Sequence, residues 1–259
     1  MNGCQQGFRS VASFGFGGQE SASKPPQSHM QTVSRHEIKT NAMSKVKITL
    51  LTFGLFLAAI LVYYFVAVMI ARANTPEIVS EALSPTKIQL ELDDLTTDQL
   101  DALIKIQDPN FYNHNGFDFT TPGAGITSLS QGLVKIFYFE NFKPGIKKLK
   151  QTLIARFAFD AMTPKDTILK IFINHAYMGQ KDGKPLYGFE NASNYYFNKK
   201  FRELDEDEYL ALISMIRAPF TFHYLNKREE NDLRVRRIKK YLAGEYIPED
   251  NSDWLYDRE

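Results

Sequence analysis

Ten consecutive residues, 107–116, hold the densest group of side chains that can act on a substrate. They read Gln-Asp-Pro-Asn-Phe-Tyr-Asn-His-Asn-Gly. The carboxamide of Gln107 can hold a substrate hydroxyl group but cannot take up its proton near neutral pH. Asp108 carries a carboxylate, which can act as a general base. The segment therefore predicts a hydroxyl-binding site with Asp108 as its nearest candidate base.

Other polar residues near this segment favour structural roles. Asp118 and Asp160 are further candidate bases, but such carboxylates, Asp108 included, are more often helix caps, ion-pair partners or simply exposed. An isolated histidine such as His114 is more often a hydrogen-bonded part of the framework than a catalyst. We therefore expect His114 to be structural.

The spacing of apolar residues predicts helices that would position these side chains. A Thr- and Asp-rich stretch precedes Leu100, Leu103 and Ile106 and predicts a helix that ends at Gln107. Helical spacing also covers residues 126–139, 146–162, 165–173, 204–217 and 228–242. No segment alternates convincingly as a strand, so the predicted fold class is mainly α.

A membrane helix is predicted from Ile48 to Ala71. This run has no charged residue, lies between Lys47 and Arg72, and as a helix would be about 36 Å long, enough to cross a bilayer. A cleaved signal peptide is the alternative, but its apolar core would be shorter. Basic residues are more frequent before the run than after it, which predicts a cytoplasmic N-terminus and an exported C-terminal part.

The predicted boundaries follow from these patterns. They are a disordered cytoplasmic tail at 1–47, the membrane helix at 48–71, a linker at 72–90, an exported domain at 91–245 and a C-terminal tail at 246–259. Thr75-Pro76, within the linker, is predicted to end the anchor helix. We hypothesise that translation begins at Met43, which a native peptide from upstream would contradict. The single cysteine, Cys4, excludes an intramolecular disulfide, and the net charge of +1 gives no general attraction to nucleic acid.

Residues 107–116 resemble the first motif of glycosyltransferase family 51, the enzymes that polymerise lipid II into peptidoglycan. That motif reads Glu-Asp-x-x-Phe-x-x-His-x-Gly. Phe111, His114 and Gly116 match and are assigned to the framework near the site, whereas Gln107 stands where the family has its catalytic glutamate.

Further family motifs follow in order along the chain. The third, Arg-Lys-x-x-Glu, resembles Lys147 to Gln151, so that Gln151 stands at the second family glutamate. The stretch from Gln151 to Ile168 is one residue longer than the family pattern, and the segment joining the first two motifs is shorter. The other similar segments are Thr127–Ile136, Lys165–Asn174, Tyr187–Ala192, Tyr195–Lys199 and Ala218-Pro219.

The resemblance implies a lysozyme-like fold and a lipid II or glycan ligand. Attack by a sugar hydroxyl on an anomeric carbon requires a carboxylate to take the proton and cations to hold the departing pyrophosphate. The residues assigned to substrate binding are Gln131, Lys135, Lys147, Lys148 and Asn174. Lysines on a helix are, by themselves, often only a solvated face. The resemblance also implies that a divalent metal can assist the departure of the pyrophosphate. Because both glutamates are replaced, no metal is assigned here.

Three functions are compatible with the sequence. The first is a membrane-anchored protein of cell-wall synthesis that binds lipid II or glycan and has lost glycosyl transfer, because both glutamates are replaced by glutamine. The second is an active lipid II polymerase that uses a substitute carboxylate such as Asp108. The third is a non-catalytic docking partner of a cell-wall synthase. No transpeptidase domain is expected, since the chain ends soon after the helix that follows Pro219.

Overall fold

The computed structural model describes residues 30–143 and 145–258, with side chains from residue 44 onward. Two compact units are present, of which the first ends at Leu57 and the second begins at Ala58. The predictions for residues 1–29, including Cys4, lie outside the described residues.

Helix α1 (Met30–Ala82) is longer than the sequence predicts. Its stretch Ser44–Ala82 is long and apolar enough to cross a membrane. Residues 30–47 are helical where a disordered tail was expected, and the helix continues through Pro76 into the expected linker. A proline inside a helix removes one hydrogen bond, but each further helical residue adds one, so the helix can continue past Pro76. The prediction of a helix end at Thr75-Pro76 is therefore wrong.

The rest of the described chain is mainly helical, which confirms the predicted class. The remaining helices are α2 (Thr97–Gln107), α3 (Leu129–Phe137), α4 (Ile146–Ile154), α5 (Asp160–Met162), α6 (Lys165–His175), α7 (Phe189–Phe197), α8 (Glu206–Ser214) and α9 (Arg228–Leu242). Short 3₁₀ turns at Leu92–Asp94 and Phe201–Glu203 precede α2 and α8. Helices α6 and α8 lie in the core, since most of their residues are buried.

A π-helical turn, Ala155–Phe159, interrupts the helix predicted at residues 146–162 and separates α4 from α5. A π turn accommodates one more residue than an α turn does, without breaking the helix. It lies between Gln151 and Ile168, the stretch that is one residue longer than the family pattern. The turn can therefore absorb the extra residue.

A β-hairpin corrects the expectation that the chain has no sheet. Strands β1 (Tyr177–Lys181) and β2 (Lys184–Tyr187) pair antiparallel, with Lys181 opposite Lys184. The connecting residues Asp182 and Gly183 both have positive φ, 52° and 75°. An Asp-Gly pair is a strong signal for such a two-residue turn, and the sequence analysis did not use it.

The C-terminal residues 246–258, here named the C-terminal strap, pack against the domain. Tyr256 and Asp253 are each 2% exposed. The Gly123 amide donates to the carbonyl oxygen of Asp250 at 2.9 Å, and Tyr256 stacks on Tyr241 with ring centroids 4.3 Å apart. The described part of the predicted C-terminal tail, residues 246–258, thus packs on the domain.

Substituting Gly116 by alanine is expected to destabilise the domain. Gly116 has φ +85°, and an added Cβ would lie 2.6 Å from the carbonyl oxygen of Ala155. The positive φ and the overlap together should lower the free energy of unfolding by about 2–5 kcal/mol. Gly183→Ala is the matched control, because Gly183 has φ +75° and nothing lies within 4 Å of its added Cβ. Denaturant unfolding that gives equal losses for the two variants would show that the close approach at Gly116 contributes nothing.

Candidate functional site

The carboxylate of Asp108 joins the ends of two helices. Asp108 is the C-cap of α2 and is 1% exposed. One of its oxygens, Oδ1, lies 2.8 Å from His114 Nε2, and the other, Oδ2, accepts from the Leu129 amide at 3.0 Å. That amide opens α3, where the helix dipole favours a negative charge. Asp108 is therefore committed to the framework.

His114 is hydrogen-bonded to the framework through Asp108. Its Nε2 is the ring nitrogen that contacts Asp108, and its Nδ1 is buried without a partner. Lys165 donates to the His114 carbonyl oxygen at 2.7 Å, and its Nζ lies 4.6 Å from the ring centroid of Phe111. Phe111 is fully buried. These contacts tie the segment after α2 to the start of α6.

The carboxamide of Gln107 is used within the fold. Its side chain is only 3% exposed, and its Nε2 donates to the carbonyl oxygen of Ile213 at 2.9 Å. Its Oε1 accepts from Arg217 Nε at 3.3 Å. A carboxylate here would have no proton to offer Ile213.

Arg217 was not identified from the sequence, although it lies at the centre of this cluster. Its guanidinium group donates to the carbonyl oxygens of Ile106 at 3.1 Å and Ala124 at 2.6 Å, and also to that of Gln107. Burial lowers the pKa of Arg217. Its position directly before Ala218-Pro219 carries no signal for this role, because its partners come from distant parts of the chain.

Gln151 and Gln131 form a second buried cluster. Gln151 Nε2 donates to the carbonyl oxygen of Gln131 at 2.6 Å, while its Oε1 is buried without a partner. Gln131 Nε2 donates to Thr152 at 2.8 Å, and its Oε1 accepts from the Ser128 amide at 3.2 Å. The two glutamines are 1% and 0% exposed. Both therefore hold α3 against α4.

The three predicted cationic residues lie beside this second cluster. Lys135 and Lys147 are exposed, and Lys148 is half-buried. Lys148 donates to Thr127 Oγ1 at 3.0 Å. Its burial and the neighbouring charge of Lys135 lower the pKa of Lys148 to about 8. Within the described residues none of the three forms an ion pair with a carboxylate.

The other candidate bases are engaged in hydrogen bonds. Asp160 accepts from Ser130 at 2.6 Å and pairs with Lys165 at 2.9 Å. For Asp118, burial opposes ionisation, but hydrogen bonds from Thr121, Thr120 and Asn110 outweigh it and hold its pKa well below the usual range. The structure therefore leaves neither carboxylate free.

Asn174 lies in the framework rather than among the lysines. Its Oδ1 accepts from the amides of Gln89 at 2.8 Å and Leu90 at 3.0 Å, and its Nδ2 donates to the Leu90 carbonyl oxygen at 2.8 Å. Nδ2 also donates to the carbonyl oxygen of Lys170. All the hydrogen bonds of this side chain are thus made with main-chain groups.

A carboxylate-based metal site is not formed by the described residues. No group of three His, Cys, Asp or Glu side chains among them could hold a metal ion. The neutral carboxamides at positions 107 and 151 do not supply the negative charge that hard divalent cations prefer.

The fold and the site together define a mainly helical domain with a polar cluster at the junction of α2, α3, α4 and the segment after α8. The chain belongs to the transglycosylase family, whose sequence model matches residues 77–243. This confirms the resemblance to glycosyltransferase family 51.

The most informative relatives are penicillin-binding proteins. Penicillin-binding protein 1B of Haemophilus influenzae is 29% identical over 160 residues, which is 57% of this chain and 20% of that protein. Penicillin-binding protein 1A of Neisseria cinerea is 29% identical over 161 residues, 57% of this chain and 19% of that protein. The matched stretch thus spans about a fifth of the length of these relatives.

Replacing Gln151 by glutamate is expected to lower the free energy of unfolding at pH 7 by about 1–3 kcal/mol, because two acceptors would then face each other. Burial should raise the pKa of the new carboxyl group above its unfolded value. The folded state then binds the proton more tightly, so the loss should shrink between pH 7 and pH 5. Denaturant unfolding at both pH values measures this.

Gln107→Glu is the matched comparison for this prediction. Arg217 Nε already donates to Oε1 of Gln107, so a carboxylate there gains a cationic partner and should cost less. Equal losses for the two variants at pH 7 would contradict this account of the two clusters.

Proposed function

We propose that this chain is a membrane-anchored transglycosylase-family protein that binds lipid II or a nascent glycan strand and no longer transfers the sugar. The observation that carries the proposal is that the carboxamides of Gln107 and Gln151 both donate to buried main-chain carbonyl oxygens. The surrounding structure is thus complementary to an amide at both positions. A carboxylate base would meet an acceptor at each of them.

Loss of the base accounts for the loss of turnover. General-base catalysis typically contributes about 10²–10⁴-fold to a rate. Asp108, the strongest substitute, is 1% exposed and has both oxygens occupied by His114 and the Leu129 amide. The active-polymerase alternative would need Asp108 to break these contacts.

The register of the second glutamine supports the same conclusion. The residue by which this chain exceeds the family pattern can be absorbed by the π turn Ala155–Phe159, which follows Gln151. Gln151 then keeps the position of the family's second glutamate.

Binding is assigned to the exposed lysines. Lys135, Lys147 and Lys148 present cations without carboxylate partners among the described residues, as a pyrophosphate group requires. The apolar stretch Ser44–Ala82 would hold the domain at the membrane that carries a lipid-linked ligand. The basic residues that precede it favour a cytoplasmic N-terminus and a domain outside the membrane.

The unmodified protein is expected to bind labelled lipid II but to form no glycan strands from it. Gln107→Glu alone should not restore polymerisation, because the carbonyl oxygen of Ile213 opposes the new carboxylate and position 151 still lacks one. Gel analysis of products, with lipid II retention measured in the same samples, tests both statements. Strands from the unmodified protein would overturn the loss of transfer. A folded protein that retains no lipid II would favour the docking alternative.

Lipid II binding is expected to weaken as the pH rises through about 8. The pKa of Lys148 is about 8, so its charged fraction falls from about nine-tenths at pH 7 to about one-tenth at pH 9, and the dissociation constant should rise about tenfold. Lys148→Gln should bind weakly and lose this dependence. Lys239→Gln is the control, because Lys239 lies on α9 and pairs with Asp207. An unchanged pH profile in Lys148→Gln would remove Lys148 from the site.

A further inference from the structure

The C-terminal strap lies beyond the stretch that matches the family, which ends at residue 243. It nevertheless contacts the surroundings of Gln107. The amides of Gly123 and Gly125 donate to the strap carbonyl oxygens of Asp250 at 2.9 Å and Asn251 at 2.7 Å. Between these glycines lies Ala124, whose carbonyl oxygen accepts from Arg217. An element outside the family domain thus closes over the cluster that contains Gln107.

Trp254 of the strap lies close to two guanidinium groups. Its ring centroid is 5.5 Å from Cζ of Arg217 and 4.8 Å from Cζ of Arg234. Arg234 is 1% exposed, and its Nη1 donates to the Trp254 carbonyl oxygen at 3.1 Å. Cations in a protein interior usually have an anionic partner, but here the ring face of Trp254 lies beside the guanidinium groups instead.

The two arginines have no carboxylate partner among the described residues. Neither forms an ion pair there, and Nη2 of Arg234 is buried without any hydrogen-bond partner. Burial lowers the pKa of Arg217 and lowers that of Arg234 to about 10. Buried charges in proteins are usually paired. The two arginines can therefore bind an anionic group, and the closed strap does not supply one.

The strap is held in a strained conformation. Tyr256 has φ 55°, the left-handed region, which bulky side chains rarely occupy. Such outliers persist only where surrounding contacts enforce them, and they are concentrated at switch regions. Gly244, with φ +76° and nothing within 4 Å of an added Cβ, precedes the strap. The ion pairs of Arg258 with Glu249 and Asp250 are exposed and add little.

We propose that the C-terminal strap is a displaceable cover over an anion-binding site formed by Arg217 and Arg234. With the strap closed, Trp254 fills the place beside both guanidinium groups and Gln107 is shielded. With the strap open, the two arginines bind a phosphate-bearing ligand. This inference does not depend on the lysines assigned above, so that either proposal can fail alone.

Closure can be measured by thiol labelling of the full chain. In a Cys4→Ser background, Ala124→Cys places a thiol at a residue that is 4% exposed beneath the strap. Maleimide should label it slowly in the parent and about tenfold faster in Trp254→Ala, because opening exposes it more often. Thr86→Cys, at an exposed position, should label equally fast in both. Equal rates at position 124 in parent and variant, with cooperative unfolding retained, would overturn the closure.

Inorganic pyrophosphate tests the arginine site. Calorimetry should give tighter binding to Trp254→Ala than to the parent, and Arg217→Gln added to Trp254→Ala should remove the gain. An affinity that does not change with Trp254 or Arg217 would overturn the anion site. If Trp254→Ala fails to fold, Trp254→Leu serves instead, because it removes the ring beside the two guanidinium groups and keeps an apolar side chain for packing. Lys148→Gln should leave the labelling rate unchanged, which separates a failure here from a failure of lipid II binding.

Discussion

The buried carboxylate of Asp108 is the constraint on which the geometry of the site depends. It holds the end of α2 to the first amide of α3 and to the ring of His114. Lys165 extends this framework to α6 through the carbonyl oxygen of His114. A carboxylate with this many partners stabilises three elements at once, and losing it would leave buried donors unsatisfied. The same commitment prevents Asp108 from serving as a free base.

A carboxamide and a carboxylate differ most in the free-energy cost of being buried away from water. An isolated buried carboxylate carries a large desolvation cost, whereas a carboxamide pays only for its unmade hydrogen bonds. Gln107 recovers this cost fully, through Ile213 and Arg217. Gln151 recovers it in part, since its Oε1 has no partner. The absence of a charge at these positions therefore lowers the cost of burying both side chains.

Cationic groups in this domain fall into two environments. Lys135 and Lys147 face solvent and Lys148 is half-buried, so their charges can be held at little cost to the fold although salt screens the exposed ones. Arg234 is buried and Arg217 is half-buried, and Trp254 of the C-terminal strap presents its ring face to both. Enclosure strengthens each contact because the local dielectric is low. The two groups of cations therefore differ in their exposure and in the partners that the fold gives them.

The sequence by itself determined the helical class, the helices that end at Gln107 and begin at Arg228, and the family to which the chain belongs. Apolar spacing and ordered motifs are local signals, so they could be read without coordinates. It missed the hairpin, although Asp182-Gly183 signalled it, and it could not reveal the cluster around Arg217. The partners of Arg217 lie about 90–110 residues away, and such contacts leave no local pattern. Only the tertiary structure decided that Gln107, Gln151 and Asp108 are buried and that the C-terminal strap packs against Gly123 and Gly125, because burial depends on which distant elements pack together.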